Sequence, residues 1–546
     1  MADDRTRKDE LELLRRTLSR LEERISKIEK HINLEPIVSK EEIEPAVEQA
    51  ELPQRDTLEM QIGLYWFAKV GIVVFLVGIV FLLMEPFESL PRAFGPILGF
   101  VIAAAATMLS RFLGRSSSLL SGYMLGGGLV LFFVSGLRLH YFSAQPLLTS
   151  VTLELILLLV IAGVSIAISV RRVSVYTSAV SITMLLVAGL LSDNASVLFP
   201  ILFAVSALTV YLKLKQGWNG IMIFGMSIVY FSVLEWSLNN PLAGNTLQLR
   251  PSGYPEVISV MLILVVFASG NYLRGKNKPE DVNVILSSLL NAALAYSLFS
   301  LLTVPGLQNN LAIWHVLASI FLLFLAAAFW MKERSKFQTF FYAMTGYAAL
   351  SLAIVAQFKT PESFVWLCWQ SLLVVSTAIW FRSKFIVVTN FVIYSIIFVF
   401  YLVLAGTVSI TSLSFGVVAL MSARILNWQK HRLDLKTEII RNAYLVAAFV
   451  IFPYALYHAI PSDYVGLSWI GVATVYYVIS LVLKNVKYRW MSLLTFLLSA
   501  VYLVIVGIAK LGPFLRIVSF VILGLALLVV SFIYARAKVK SASGEN

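Results

Sequence analysis

Polar groups inside long apolar stretches are the residues of this chain whose types and spacing are best suited to chemistry. Glu154 is the acid that lies deepest in such a stretch, and Asn291 and Gln370 are amides in two others. Ionisable and amide groups in lipid are costly, and they usually serve a site or a hydrogen bond to a neighbouring helix. We therefore take Glu154, Asn291 and Gln370 as candidate substrate-binding residues, with helix packing as the alternative for each.

A run of three glycines, Gly126, Gly127 and Gly128, lies in another apolar stretch and follows Gly122. Small residues four positions apart allow two helices to approach closely. Three glycines in succession are also typical of an unwound segment, such as those that form binding sites in transporters. Both interpretations stay open, and Gly126, Gly127 and Gly128 join the candidate substrate-binding residues.

The sequence predicts no metal ligands, no cofactor and no catalytic residues. The one cysteine, Cys368, lies in an apolar stretch. No pair of His or acidic residues stands four positions apart within an apolar stretch, and the metalloprotease pattern HExxH is absent. An enzyme is therefore not the expected class.

Membrane-spanning helices must position the candidate residues. The chain has 546 residues, of which 59% are hydrophobic, and its mean hydropathy is +0.84. A soluble protein of this size could not bury so much apolar surface. About eighteen apolar stretches between Tyr65 and residue 535 have the length of roughly 17–24 residues that a helix needs to cross a bilayer. We predict an all-α polytopic membrane protein, with the fourth span at Leu147–Val170 and the fourteenth at Val408–Ala423.

The basic residues predict how these spans are oriented. About 24 Lys and Arg lie in every second gap between the spans or in the tail, and about 6 lie in the other gaps. By the positive-inside rule the basic gaps and both chain termini are cytoplasmic. Each basic gap except the last is followed by an outward helix and a return helix, which predicts a repeated two-helix hairpin. Any series of spans with short loops gives similar spacing, so this remains one of two interpretations.

The N-terminal arm carries an apolar stripe with alternating spacings of three and four residues. The pattern is typical of a coiled coil and predicts self-association or binding to a partner helix; a helix lying on the membrane surface is the alternative. Its members are Leu11, Leu14, Leu18, Leu21, Ile25, Ile28 and Ile32.

The chain therefore divides into an arm (1–33), an acidic, proline-containing linker (34–64), a multi-span domain (65–535) and a cytoplasmic tail (536–546). The lipid bilayer is the expected partner. Nucleic acid is not expected, because most basic residues beyond the arm lie in short loops between spans.

A short signature follows the linker. It reads Glu-Met-Gln-Ile-Gly-Leu-Tyr-Trp-Phe-Ala-Lys-Val-Gly from Glu59, followed by Gly78, Phe81-Leu-Leu and the glycine-rich span. Together with the arm, these residues resemble the bacterial predicted membrane proteins grouped as domain of unknown function 2339. The resemblance is sharpest from Glu59 to Ser192, and it implies a multi-pass protein of the bacterial inner membrane. It implies no catalytic motif.

Three functions fit these patterns. The many spans and scarce buried acids favour transport or translocation of a neutral or amphipathic, lipid-like cargo. The alternatives are a membrane scaffold that recruits partners through the arm and an enzyme that acts on lipid-linked substrates. A polar cavity reaching mid-bilayer near Gly126, Asn291 or Gln370 would favour transport, and a solid bundle would favour scaffolding. The residues that an enzyme would use are Glu154 with His140, Glu235 with Glu256, and His315.

Overall fold

The computed structural model describes residues 74, 78–82, 91–114, 118–141, 146–273, 281–333, 335–405, 409–428, 438–507 and 511–542. The arm, the linker and most of the predicted first span lie outside these residues. The coiled coil therefore stays a prediction.

From Phe94 onward the described residues form seventeen α-helices and no strand. Most connections between them are two to four residues long, so consecutive helices run in opposite directions. The helices are α1 (Phe94–Leu113), α2 (Ser118–Leu137), α3 (Val151–Arg172), α4 (Val175–Leu191), α5 (Ala195–Gln216), α6 (Asn219–Ser237), α7 (Tyr254–Tyr272), α8 (Val282–Gly306), α9 (Leu311–Glu333), α10 (Lys336–Gln357), α11 (Glu362–Trp380), α12 (Lys384–Leu404), α13 (Leu413–Trp428), α14 (Glu438–Ala459), α15 (Ser462–Leu483), α16 (Val486–Tyr502) and α17 (Pro513–Ala542).

Fourteen of these helices are long and apolar enough to cross a membrane, and three shorter apolar ones lie in α2, α4 and α17. Large apolar side chains also point outward, such as Phe324, Val403 and Leu528, which are 68%, 71% and 69% exposed. Outward-facing apolar side chains along many helices suit lipid rather than water. The helices thus indicate an integral, multi-pass membrane protein, while the total of eighteen spans remains a prediction.

Most predicted spans agree with the helices to within a few residues, but two begin too early. The fourth begins at Val151 rather than Leu147, because the backbone N–H groups of Leu147 and Leu148 both donate to the carbonyl of Leu139, at 2.9 and 3.0 Å. The fourteenth begins at Leu413 rather than Val408, after a 3₁₀ turn over Ile410–Ser412. Apolar residues in these connections have the same hydropathy as residues of the helices, so the sequence does not distinguish them.

The tightest turns use a recurring pair of residues. A residue in the left-handed conformation ends one helix, and a Ser or Asn then accepts a hydrogen bond from a backbone N–H in the first turn of the next helix. The pairs are Val173 with Ser174, Asp193 with Asn194, Arg382 with Ser383, and Lys484 with Asn485. All but Asp193 with Asn194 lie at the end of the bundle that carries the predicted basic gaps, which we call the basic face.

Helices joined across the basic face form the closest pairs, as in α1–α2, α9–α10 and α15–α16. Pairs joined across the opposite face pack less closely, and both α8–α9 and α16–α17 make only a small contact. The hairpins are therefore one helix out of phase with the prediction, which paired each outward helix with the following return helix. Charge marks where a loop lies but does not determine which neighbours pack.

Two buried asparagines connect the core helices in the same way. Asn291 of α8 donates to the Leu264 carbonyl of α7, at 3.0 Å, and to the Tyr342 hydroxyl of α10, at 2.8 Å. Asn390 of α12 donates to α11 and to the Tyr444 hydroxyl of α14, at 3.0 Å. The arrangement recurs after four helices, which supports an internal repeat of two hairpins.

Candidate functional site

A half-open cavity of about 550 Å³ lies between α1, α2 and α3, and we call it the α1–α3 cavity. On α3 it extends from Val160 to Arg172, which is about 18 Å along the helix axis and more than half of a bilayer core of about 30 Å. It is lined by Ala104, Thr107, Met108 and Arg111 of α1, Leu125, Leu129 and Phe132 of α2, and Val160, Ile161, Val164, Ser165, Ile168, Arg171 and Arg172 of α3.

The interior of this cavity is apolar. Its two hydroxyl groups donate within their own helices, Thr107 to the Ala104 carbonyl and Ser165 to the Ile161 carbonyl, both at 2.8 Å. The lining residues Met108 and Val160 are 70% and 56% exposed, so the cavity opens on the side of the bundle. A ligand moving within the bilayer would reach it there.

Three arginines lie at the basic-face end of the cavity. Arg111 is in the last turn of α1, and Arg171 and Arg172 are in the last turn of α3. All three are exposed, and within the part of the chain that the structure describes none forms a salt bridge. No acidic residue is among the lining residues. The cavity therefore combines an apolar interior with a concentration of positive charge at one end.

The three predicted glycines lie on α2, which is a continuous helix rather than an unwound segment. A Cβ at Gly128 would lie 2.6 Å from Thr107 Cγ2 and 3.2 Å from the Ala103 carbonyl oxygen, so α1 approaches the backbone of α2 there. A Cβ at Gly126 would meet only Thr177 of α4, at 3.7 Å. Gly127 is buried in the same helix. Gly128 thus sets the distance between two walls of the cavity without lining it.

Glu154 lies in the first turn of α3, one turn from its start rather than the two turns that the predicted span gave. The side chain is fully buried, and neither carboxyl oxygen has a hydrogen-bond partner among the residues that the structure describes. It lies about 9 Å along the helix from Val160 and is not among the lining residues. The structure therefore separates Glu154 from the α1–α3 cavity.

The turn after α2 surrounds this end of α3 with polar groups. The Nδ1–H of His140 donates to the Leu148 carbonyl at 2.7 Å. Burial raises the pKa of Tyr141, and the nearby charge of Glu154 adds to that rise. Burial also lowers the pKa of Arg138, whose guanidinium packs against Gly95 of α1. These three side chains lie next to the N-terminal end of α3, which is the end opposite the basic face.

Asn291 has its hydrogen bonds satisfied by protein groups. The Tyr230 hydroxyl donates to its Oδ1 at 2.5 Å, and its amide donates to Leu264 and Tyr342. It lines none of the cavities described here. In this structure Asn291 joins four helices, as the helix-packing alternative describes.

Gln370 lines a second cavity, of about 360 Å³, between α10, α11 and α12. Its amide donates to the Tyr347 carbonyl at 2.8 Å and to the Ser351 hydroxyl at 3.0 Å, and Ser351 donates to its Oε1 at 3.1 Å. These bonds join α10 to α11. Neither Gln370 nor Asn291 lies at the α1–α3 cavity.

The residues named for an enzyme are spread over several helices. His315 of α9 is fully buried between the Tyr296 hydroxyl, at 3.0 Å, and the Thr303 hydroxyl, at 3.3 Å. Glu235 of α6 and Glu256 of α7 each have one buried carboxyl oxygen that finds no hydrogen-bond partner within the described ranges. His315 is thereby held as a hydrogen-bonded core residue.

Sequence reasoning did not select the three cavity arginines as site residues. It used them for orientation, and the positive-inside rule alone accounts for their presence. The signal that was available is that Arg111, Arg171 and Arg172 come from two consecutive basic gaps. Adjacent gaps bring charges together only if the helices between them pack, which the sequence does not reveal.

The helices and the cavity define the class as a multi-pass membrane protein with a laterally open, arginine-bearing cavity. Comparison with family models, with curated proteins and with solved structures found no match. The resemblance to the domain of unknown function 2339 family stays a prediction.

Proposed function

We propose that this protein binds an amphipathic lipid with an anionic head group and moves it between the two leaflets. The α1–α3 cavity is the observation that carries the proposal. Its interior accommodates an acyl chain, and Arg111, Arg171 and Arg172 lie where a head group would sit. Arginine pairs well with phosphate oxygens because its planar guanidinium offers paired donors.

The chemistry of the cavity favours an amphiphile over a polar solute. A polar solute would need hydrogen-bond partners along its path, and the Thr107 and Ser165 hydroxyls already donate within their own helices. The volume lies within the usual range of about 300–1,000 Å³ for ligand sites. The lateral opening at Met108 and Val160 gives a lipid a route from the bilayer.

The position in the cell is part of the same proposal. The excess of Lys and Arg at the basic face supports a cytoplasmic location for that face and for both termini. The resemblance to the domain of unknown function 2339 family supports the bacterial inner membrane. A head group bound at the three arginines would then come from the cytoplasmic leaflet.

Reconstituted vesicles test the proposal. The full chain is placed in liposomes that contain fluorescent phosphatidylglycerol or phosphatidylcholine, and leaflet exchange is measured by quenching from outside. Arg111→Gln, Arg171→Gln and Arg172→Gln are combined in one variant. Near an anionic membrane each basic residue contributes about 1 kcal/mol, so three should weaken phosphatidylglycerol binding by about 100-fold.

A matched triple variant controls for the loss of charge. Lys215, Lys336 and Arg382 are exposed at the basic face and do not line the cavity. Changing these three to Gln should leave the exchange of phosphatidylglycerol close to that of the unchanged protein. Equal exchange rates in both triple variants, or no exchange by the unchanged protein, would refute the proposed function.

The heptad residues of the arm support a second, separable proposal, that the protein self-associates or recruits a partner helix through residues 1–33. Deleting Met1–Pro53 should then convert the oligomer to a monomer in detergent. If the truncated chain forms oligomers with the same number of copies as the full chain, the arm does not mediate self-association.

A further inference from the structure

A second positively charged cluster lies at the basic face where α13, α14 and α16 meet. Its centre is Arg441 in the first turn of α14, which is 9% exposed. Its Nη1 donates to the Asn427 side chain of α13 at 2.5 Å, and its Nη2 donates to the Glu438 carboxylate at 3.3 Å. The buried Nε–H has no hydrogen-bond partner among the described residues, which omit the connection 429–437. One donor of a buried guanidinium is therefore left unused.

Two further cations lie on the helices next to Arg441, which are α13 and α16. Lys487 of α16 donates to the Asn442 side chain of α14 at 2.6 Å and lies within electrostatic range of Arg441. Arg424 of α13 and Arg441 both lie within electrostatic range of Tyr488. Glu438 is the acid paired with Arg441, and its side chain is 74% exposed. Within the part of the chain that the structure describes, the charges of the three cations exceed the one that Glu438 supplies.

The helix termini add to this excess. The N-terminus of α14 begins at Glu438 and that of α16 at Val486. Helix N-termini present free backbone N–H groups and a partial positive charge, so they favour anions. Arg441 and Lys487 occupy first turns in which a cation is unfavourable. Two cations in such positions, close to one another, cost stability unless an anion lies between them.

We propose that Arg441, Lys487 and Arg424 bind a phosphate group between α13, α14 and α16. The unused Nε–H and the Lys487 ammonium supply the donors. Basic pockets between membrane helices on one face typically hold phosphate-bearing lipid head groups. None of the three residues lines the α1–α3 cavity, so the site goes beyond the proposed lipid-exchange function.

Ligand retention by the purified full chain tests this site. Native mass spectrometry and thermal unfolding are measured with phosphatidylglycerol, with phosphatidylcholine and with inorganic phosphate. The test variant combines Arg424→Gln with Lys487→Gln, because both side chains are at least partly exposed and their loss leaves the core intact. Its affinity for the phosphate-bearing ligand should fall by at least about tenfold.

Lys332→Gln is the matched control. Lys332 also lies at the basic face, but its ammonium donates to the Tyr272 carbonyl of α7 and not to this cluster. Arg441→Lys, which keeps the charge but removes the Nε–H, should weaken binding as well. If the protein retains phosphatidylglycerol but does not bind inorganic phosphate, the ligand of the site is a lipid head group. If it binds inorganic phosphate and shows no preference between the lipids, the ligand is a soluble phosphate. Unchanged affinity in the double variant, or an equal loss in Lys332→Gln, would overturn the site.

Discussion

Replacing Gly128 by alanine should destabilise the bundle and disturb the wall of the α1–α3 cavity. The new Cβ would lie 2.6 Å from Thr107 Cγ2, 3.1 Å from the Thr107 nitrogen and 3.2 Å from the Ala103 carbonyl oxygen. Two of these atoms belong to the backbone of α1, so no change of rotamer removes the contacts. The Thr107 hydroxyl is also tied to the Ala104 carbonyl at 2.8 Å. The helix α1 itself must therefore move.

The size of the effect follows from these distances. An ordinary contact at 3.4 Å requires a shift of roughly 0.8 Å from the 2.6 Å approach. Overpacking of this kind typically costs about 1–3 kcal/mol. Alanine is favoured over glycine within a helix by roughly 1 kcal/mol, which offsets part of that cost. We expect Gly128→Ala to have a free energy of unfolding at or below that of the unchanged protein.

Gly126→Ala is the matched control, because it makes the same chemical change on the same helix. Its Cβ would lie 3.7 Å from Thr177 Cγ2, an ordinary contact. Both variants gain the same helix propensity, so the difference in their free energies of unfolding isolates the clash. Equilibrium unfolding in detergent micelles, followed by helical circular dichroism, should separate them by about 1–3 kcal/mol. Equal stabilities would show that α1 does not rest on Gly128 and that Gly128 does not set the distance between the cavity walls.

Three further variants test other parts of the structure by unfolding in detergent. Asn291→Leu should lower the free energy of unfolding by about 2 kcal/mol, because it breaks three interhelical hydrogen bonds at about 0.6 kcal/mol each. If Asn291→Leu costs the same in a Tyr342→Phe background, the hydrogen bond between Asn291 and Tyr342 does not contribute to stability. Glu154→Leu should leave stability unchanged or raise it, because the buried carboxyl has no hydrogen-bond partner to lose in the described part of the chain. A loss above about 1 kcal/mol would show that Glu154 makes a stabilising contact. Arg250→Met should lower the free energy of unfolding by about 1 kcal/mol and speed proteolysis within residues 238–253. The reason is that Arg250 forms a salt bridge with Asp193 at 3.0 Å and lies 4.0 Å from the Trp236 ring centroid. Unchanged proteolysis would mean that other contacts hold the loop.

The helices themselves were largely predictable. A segment that crosses lipid must be apolar over a fixed length, so composition along the chain identifies it without knowledge of its neighbours. The exceptions confirm this reason, since Leu147 and Leu148 are apolar residues that lie in a connection and not in a helix. Their placement depends on hydrogen bonds such as those to the Leu139 carbonyl.

The candidate residues were predictable as polar groups but not in their roles. Asn291 and Gln370 were found because amides are unusual in apolar stretches, yet only their partners reveal that their hydrogen bonds are already made. Glu154 was found in the same way, and only the structure shows that its carboxyl oxygens have no hydrogen-bond partner among the described residues.

By itself, the sequence determined that this is a many-helix membrane protein, where most of its helices run, and which connections carry the positive charge. Each of those properties belongs to one segment and its contact with lipid or water. The tertiary structure alone decided which helices pair, that Gly128 brings α1 against α2, and that Arg111 and Arg171 lie at one end of the same apolar cavity. Those features depend on how side chains from separate segments pack together. The hydropathy of a single segment carries no information about that packing.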